Sequence, residues 1–257
     1  MYIKITIILL GCIICNVALS TQTKAIAHRG YWDCPGSAQN SIVALYKAHE
    51  IDVYGSEFDV LITADGVPVV NHDDNIQGHV VEKTNYEDLR DLKIKNGEIL
   101  PTMEQYLVHG KANKETKLIL EIKPHSTKEI EDKAVKIIVE MVQNMELEEQ
   151  TEYISFSLNI CKEILKTNPN AKVFYLRGEL SPKEIKEIGL TGIDYHYSVF
   201  EKNPEWINES KTLGIRTNAW TVNDETIMKK LISAGIDYIT TDKPSVLQKV
   251  LGEKCCN

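Results

Sequence analysis

Eight short apolar runs, each followed by a stretch of helical periodicity, set the tightest limit on what this chain can fold into. The runs span 24–28, 54–62, 117–122, 152–156, 172–176, 192–195, 215–220 and 238–241. Val, Ile, Leu, Phe and Tyr recur in them, the residues that fill pleated, buried strands. Helical patterns follow at 39–49, 103–108, 130–145, 158–167, 182–188, 204–213, 224–234 and 244–251. In the longest, Ala134, Ile137, Ile138 and Met141 share one face. A helix between strands is the crossover that parallel pairing needs. The alternation therefore predicts a parallel sheet. Eight units in 257 residues predict a closed (β/α)8 TIM barrel in a single domain. An open doubly wound sheet is the rival. It favours a glycine-rich phosphate loop after the first strand, and Gly30-Tyr31-Trp32-Asp33 has no such pattern.

A barrel of this kind gathers its functional residues at the C-terminal ends of its strands. The second run ends through Glu57-Phe58-Asp59. Side chains two apart on a strand share a face, so Glu57 and Asp59 project together and Phe58 the opposite way. Neighbouring carboxylates repel unless a cation lies between them, and oxygen ligands suit Mg2+ or Ca2+. Taken alone, such a pair reads more readily as a solvated strand face. The third run changes that balance, because it closes on Glu121-Ile122-Lys123. Charged groups are rarely buried without partners. A third acid and a lysine at a strand end fit a site that holds a metal and an anion together.

His28 and Arg29 close the first run, and His72 closes a short extension at 67–70. Two imidazoles at strand ends suit a general base and a general acid, since the unperturbed group titrates near neutrality. Arg29 offers a planar fork for phosphate. Either histidine alone would read as structural. His49, His79, His109, His125 and His196 read as surface or structural residues.

Together these segments resemble the glycerophosphodiester phosphodiesterase family. The resemblance rests on His28-Arg29-Gly30, Gln39-Asn40-Ser41, Glu57-Phe58-Asp59, Thr63-Ala64-Asp65-Gly66 and Val69-Val70-Asn71-His72-Asp73. It continues in Glu121-Ile122-Lys123, Ala219-Trp220-Thr221-Val222-Asn223 and Thr240-Thr241-Asp242-Lys243-Pro244. Each motif is weak alone; their order and spacing are specific. One position departs from the pattern: Gln39 stands where the family commonly has Glu.

The resemblance implies metal-dependent hydrolysis of a glycerophosphodiester to glycerol 3-phosphate and an alcohol. Glu57, Asp59 and Glu121 would hold one divalent cation, Mg2+ or Ca2+. Arg29 and Lys123 would bind the phosphate, and His28 and His72 would act as acid and base in either order. The glycerol hydroxyl next to the phosphate could attack first, giving a cyclic intermediate, or water could attack directly. Trp220 would wall the substrate, whereas Phe156 reads as core. A lysophospholipase D-like enzyme on lysolipids is the nearest rival, and it wants an apolar rim. A non-catalytic binding barrel and a glycosidase are further rivals. The first would lack a catalytic group, and the second explains the acids but not the cations and histidines.

Charge bears on partners. The net charge of -8 argues against nucleic acid and leaves a small-molecule substrate as the expected partner. With 43% hydrophobic residues the chain can build a sizeable core. Residues 74–100 are the least regular and read as an elaborated loop over the barrel mouth. No oligomeric state is specified.

Residues 1–20 read as a secretory signal peptide, with Lys4 before an apolar core and Ala18 and Ser20 spaced for cleavage. The run is short for a membrane span. The domain expected after it covers 21–257, exported to the periplasm or secreted. A second reading makes Cys12 a lipoprotein anchor. Of six cysteines, Cys34, Cys161, Cys255 and Cys256 follow the leader, and no C-x-x-C pair among them suggests zinc.

Overall fold

The computed structural model describes residues 22–254. The expected leader, and with it Cys12, lies outside the described residues. In chain order the strands are β1 (Lys24–Ala27), β2 (Gly55–Ile62), β3 (Pro68–Val70), β4 (Asn75–Ile76), β5 (His79–Val80), β6 (Lys117–Ile122), β7 (Thr151–Ser155), β8 (Lys172–Tyr175), β9 (Gly192–His196), β10 (Arg216–Trp220) and β11 (Tyr238–Thr241). The helices are α1 (Ile42–Glu50), α2 (Tyr86–Leu89), α3 (Met103–Lys111), α4 (Lys128–Asn144), α5 (Leu158–Thr167), α6 (Pro182–Ile188), α7 (Tyr197–Lys202), α8 (Trp206–Leu213), α9 (Glu225–Ala234) and α10 (Pro244–Lys254).

The predicted barrel forms. β1, β2 and β6 to β11 pair in parallel, and β1 closes the ring by pairing with both β2 and β11. Beyond the reach of β1, the end of β2 pairs antiparallel with β3, where Val60 faces Val70.

Strand alternation divides the side chains into two layers. Ile26, Ile119, Ile154, Phe174 and Tyr238 fill the barrel interior. Tyr54 stacks on Tyr238 at 4.9 Å and donates to Glu152 Oε1 at 2.6 Å, plugging the end where the strands begin. Gly55 is required here, because a Cβ would lie 2.8 Å from Ile119 Cγ1. The outward residues pack under the helices. Phe58 stacks on Tyr106 of α3 at 4.4 Å, and both are fully buried. Truncating such an aromatic to Ala would cost about 3–5 kcal/mol.

Helix starts follow local chemistry. Thr102 and Ser181 form capping boxes with Gln105 and Glu184, and Thr127, Ser157 and Asp224 cap α4, α5 and α9. Such a cap contributes about 1 kcal/mol. The helix expected from residue 39 begins instead at Ile42. Ser41 is its cap, and Asn40 takes a left-handed φ of 61° that excludes it from the helix. Likewise α8 begins at Trp206 rather than 204, and α7 was not expected.

Residues 74–100 are more ordered than an elaborated loop. They carry β4, β5, a 3-10 turn (Val81–Lys83) and α2. Ile76, Val81, Leu89 and Leu100 share a small core with Leu61 and Val69 of the barrel. Glu98 accepts from the backbone N–H of Ile42 at 3.0 Å, which satisfies a free donor at the start of α1 and docks the excursion there. Elements of two to four residues carry no readable period, so the sequence did not announce them.

Candidate active site

β2 turns Glu57 and Asp59 into the barrel, as its alternation requires. Parallel register sets Glu121 of β6 opposite Asp59. All three acids are buried, and one carboxylate oxygen of each lies within 4.8 Å of the others. Glu57 Oε2 accepts from the backbone N–H of Arg29 at 2.7 Å, whereas Oε1 is buried without a partner. Burial, and then repulsion from Asp59 and Glu121, hold the Glu57 carboxyl well above the usual range. Burial and the Asp59 charge push Glu121 up to about 7. Buried acids under mutual strain, with a spare oxygen, fit a hard divalent cation bound through oxygen.

Asp59 behaves differently. Burial would raise it, but the Lys123, His72 and Arg29 charges and a hydrogen bond from Asn40 leave it below the usual range. Lys123 Nζ lies 3.2 Å from Asp59 Oδ1 and 2.9 Å from Glu121 Oε1. Arg29 Nε lies 3.6 Å from Asp59 Oδ2. The left-handed turn at Asn40 lets its amide grip Asp59 twice. Its Nδ2 donates to Oδ2 at 2.8 Å, and its Oδ1 accepts from the Asp59 N–H at 3.1 Å. Asn is among the few non-glycine residues that tolerate this φ.

The first βα turn sets the remaining cations. Arg29 sits at φ 55° and Gly30 at φ 74°. A Cβ on Gly30 would lie 2.6 Å from the Ala44 Cβ, so α1 packs against bare backbone there. Arg29 Nη1 donates to Gln39 Oε1 at 2.8 Å. The departure at Gln39 thus falls on a residue that orients Arg29 rather than on one of the three acids.

Both expected histidines meet at this mouth, and each has a carboxylate on Nδ1. His28 Nδ1 lies 2.8 Å from Asp242 Oδ1, and His72 Nδ1 lies 2.6 Å from Asp73 Oδ1. A carboxylate only accepts, so Nδ1 carries the proton and Nε2 is left for chemistry. Asp242 also accepts from Trp32 Nε1 at 3.0 Å and Asn223 Nδ2 at 2.7 Å. Burial would raise the Asp242 carboxyl, but hydrogen bonds from His28 and Asn223 hold it at about 2. Burial lowers the His72 pKa, against the pull of the Asp59 charge.

Two spaces open from these residues. His28, His72, Glu121, Asp194, Phe156 and Trp220 line an inner cavity of about 120 Å³. Arg29 and His72, without His28, also line an outer groove of about 880 Å³. Gln39, Asn71, Asn75 and Gln77 border that groove beside Val70, Ile76 and Ile94, giving it a wall of mixed polarity. Trp220 donates from Nε1 to the Asp194 carbonyl at 2.9 Å and meets Phe156 edge-on at 5.5 Å. Phe156, read from sequence as core, is only partly buried and forms cavity wall, because β7 ends before it.

All of His28, His72, Arg29, Lys123, Trp220, Glu57, Asp59 and Glu121 therefore meet at one mouth. Three neighbours were missed: Asn40, Asp194 and Asp242. Asn40 and Asp242 both lie inside the family motifs, but nothing in their spacing gives either a role at the site. The other histidines keep supporting places: His125 Nε2 accepts from the Ile62 N–H at 3.2 Å, and His109 pairs with Tyr46 at 2.5 Å. Cys34 and Cys161 are both free thiols.

The family model for the glycerophosphoryl diester phosphodiesterase family matches residues 28–246. A glycerophosphodiester phosphodiesterase of Caldanaerobacter subterraneus subsp. tengcongensis is 31% identical over 244 residues, 88% of this chain and 96% of the relative. The crystal structure of a glycerophosphodiester phosphodiesterase from Parabacteroides distasonis superposes with a TM-score of 0.90 at 50% identity, covering 91% of this chain and 99% of that one. A phosphodiesterase of Oleispira antarctica, solved with the product sn-glycerol-3-phosphate, shares the fold at a TM-score of 0.77 and 22% identity over 91% of this chain and 98% of its own.

Proposed function

Because this chain belongs to the glycerophosphoryl diester phosphodiesterase family, we propose that it hydrolyses soluble glycerophosphodiesters to glycerol 3-phosphate and an alcohol. The observation that carries this reading is the meeting of two carboxylate-held histidines with a buried three-acid cluster and two cations at one mouth. The product complex of the Oleispira antarctica relative supports the product.

Glu57, Asp59 and Glu121 would hold one divalent cation, Mg2+ or Ca2+, through oxygen. The cation would supply Lewis-acid stabilisation of charge on the phosphoryl oxygens. Three carboxylates around a dication leave about one negative charge, which Arg29 and Lys123 offset. Burial works against the Lys123 charge, but Glu121 and Asp59 overcome it and raise its pKa, so it stays cationic near the phosphate. Arg29 presents its fork from a turn that Gln39 braces.

The two spaces support one assignment of the histidines. The inner cavity suits the glycerol unit and the groove suits the leaving alcohol. His28, with Nδ1 protonated against Asp242, offers Nε2 as base to the hydroxyl beside the phosphate or to water. His72 borders the groove and delivers its Nε2 proton to the departing oxygen. A bound phosphodiester anion opposes the lowering of the His72 pKa and favours the protonated form. Export through the 1–20 leader belongs to the same proposal, and the N-terminal mass of the mature protein tests it.

The amides of Gln39, Asn71, Asn75 and Gln77 along the groove support a small head group over an acyl chain. Among the described residues, no helix is long and apolar enough to cross a membrane. Parallel assays on glycerophosphocholine and lysophosphatidylcholine test the choice. Glycerol 3-phosphate from the first at the higher rate supports the proposal, and preferential turnover of the lysolipid supports the lysophospholipase D-like reading.

A further inference from the structure

Asp194 is a buried acid that the proposed mechanism does not use. It lies on β9 with 2% of its surface exposed, and its Oδ1 has no hydrogen-bond partner. A buried polar group left unpaired costs about 1–3 kcal/mol. Burial pushes the carboxyl up to about 8, against the pull of Asn218. Asp194 nevertheless lines the inner cavity, two positions before β9 ends at His196.

Its neighbours frame it. Asn218 is its register partner on β10; the amide donates to Thr240 Oγ1 at 2.8 Å and leaves its own Oδ1 unpartnered. Thr240 lines the same cavity. The walls above are apolar, from Phe156, Leu176 and Trp220. Trp220 is anchored to the Asp194 backbone, so wall and floor are fixed to each other. The cavity of about 120 Å³ matches roughly four waters' share of liquid volume. That space accepts a three-carbon polyol, with its carbons on the apolar wall and one hydroxyl on the floor. A hydroxyl both donates and accepts, so it can pair with a carboxyl in either protonation state.

We propose that Asp194 is a specificity-determining residue that reads the hydroxyl of the glycerol unit furthest from the phosphate. The inference rests on the glycerophosphodiester reading and deepens it. A site built to bond a hydroxyl rejects the analogue that lacks it, because its own polar group is then left unpaired.

The test compares glycerophosphocholine with an analogue whose glycerol carries a terminal methyl in place of the distal hydroxymethyl. Wild-type protein is expected to prefer the glycerol substrate by roughly tenfold or more in kcat/KM. Asp194→Leu keeps the side-chain shape without polar atoms and should bring the preference within about threefold, chiefly by losing rate on the glycerol substrate. Asp194→Asn keeps a donor and an acceptor and should retain most of the preference. Equal losses on both substrates in Asp194→Leu, or an unchanged preference, would overturn the proposal. A wild-type preference near one would overturn it too, without any variant. Failure of the wild type to release glycerol 3-phosphate from glycerophosphocholine, or propanediol phosphate from the analogue, would instead overturn the underlying function.

Discussion

Asp242 Oδ1 stands 2.8 Å from His28 Nδ1, so the end of the last barrel strand orients a residue at the end of the first. The contact exists only because β1 and β11 pair and close the ring. A hydrogen bond to a charged group contributes about 1.5–3 kcal/mol, a factor of roughly 10 to 150. Asp242→Asn should lower kcat by that order and leave KM within a few-fold, as steady-state kinetics would show. The same variant should alter acid stability. With the Asp242 pKa lowered to about 2, its stabilisation is full above the unfolded value near 4 and is lost as pH falls towards 2. Urea unfolding across that window should show about 2 kcal/mol less acid loss in Asp242→Asn than in wild type.

Metal removal should expose the strain in the acid cluster. Burial and neighbouring charge raise Glu57 and bring Glu121 to about 7. A raised carboxyl destabilises the fold as pH climbs from its unfolded value near 4.5 towards its folded one. Chelated protein should therefore lose thermal stability between pH 5 and about 7. Added Mg2+ or Ca2+ should raise the melting temperature more at pH 8 than at pH 5. An equal response at both values would argue against a cation held by these acids.

Asn40 holds Asp59 from a left-handed turn. Asn40→Ala removes both hydrogen bonds and leaves alanine, without the polar side chain that eases it, at a left-handed φ. Metal affinity should fall by roughly 10- to 100-fold, measured by calorimetric titration of the chelated protein. Asn40→Asp should fare worse, since it adds a fourth carboxyl against Asp59.

Gln39 tests the one departure from the family pattern. Its amide oxygen already accepts from Arg29, so Gln39→Glu should change kcat/KM by no more than a few-fold. Gln39→Ala should raise KM about fivefold, the worth of one ordinary hydrogen bond.

Much of this site was legible in the sequence. His28, Glu57, Asp59, His72, Glu121 and Lys123 announced themselves because each interrupts or ends an apolar strand, where a charge needs a partner. The barrel was legible for the same reason, since its strands and helices are long enough to show their period. What stayed hidden depends on the third dimension. Asp242 is 214 positions from His28 and meets it only through closure. Asn40 acts through a single left-handed residue, which leaves no periodic mark. Asp194, one acid in the run 192–195, gave a signal of the same kind as Glu121 but lacked a second charge beside it. The small core at 74–100 is built from segments too short to read.

If two histidines and a cation-holding acid cluster cleave a glycerophosphodiester at one mouth, glycerol 3-phosphate release from glycerophosphocholine should depend on all of them. Release is measured after chelation and after return of Mg2+ or Ca2+, in wild type, His28→Ala and His72→Ala. Turnover should be restored by metal in wild type and reduced roughly 10²- to 10⁴-fold in each folded variant. Turnover that survives chelation, or near-normal rates in both variants, would contradict that dependence.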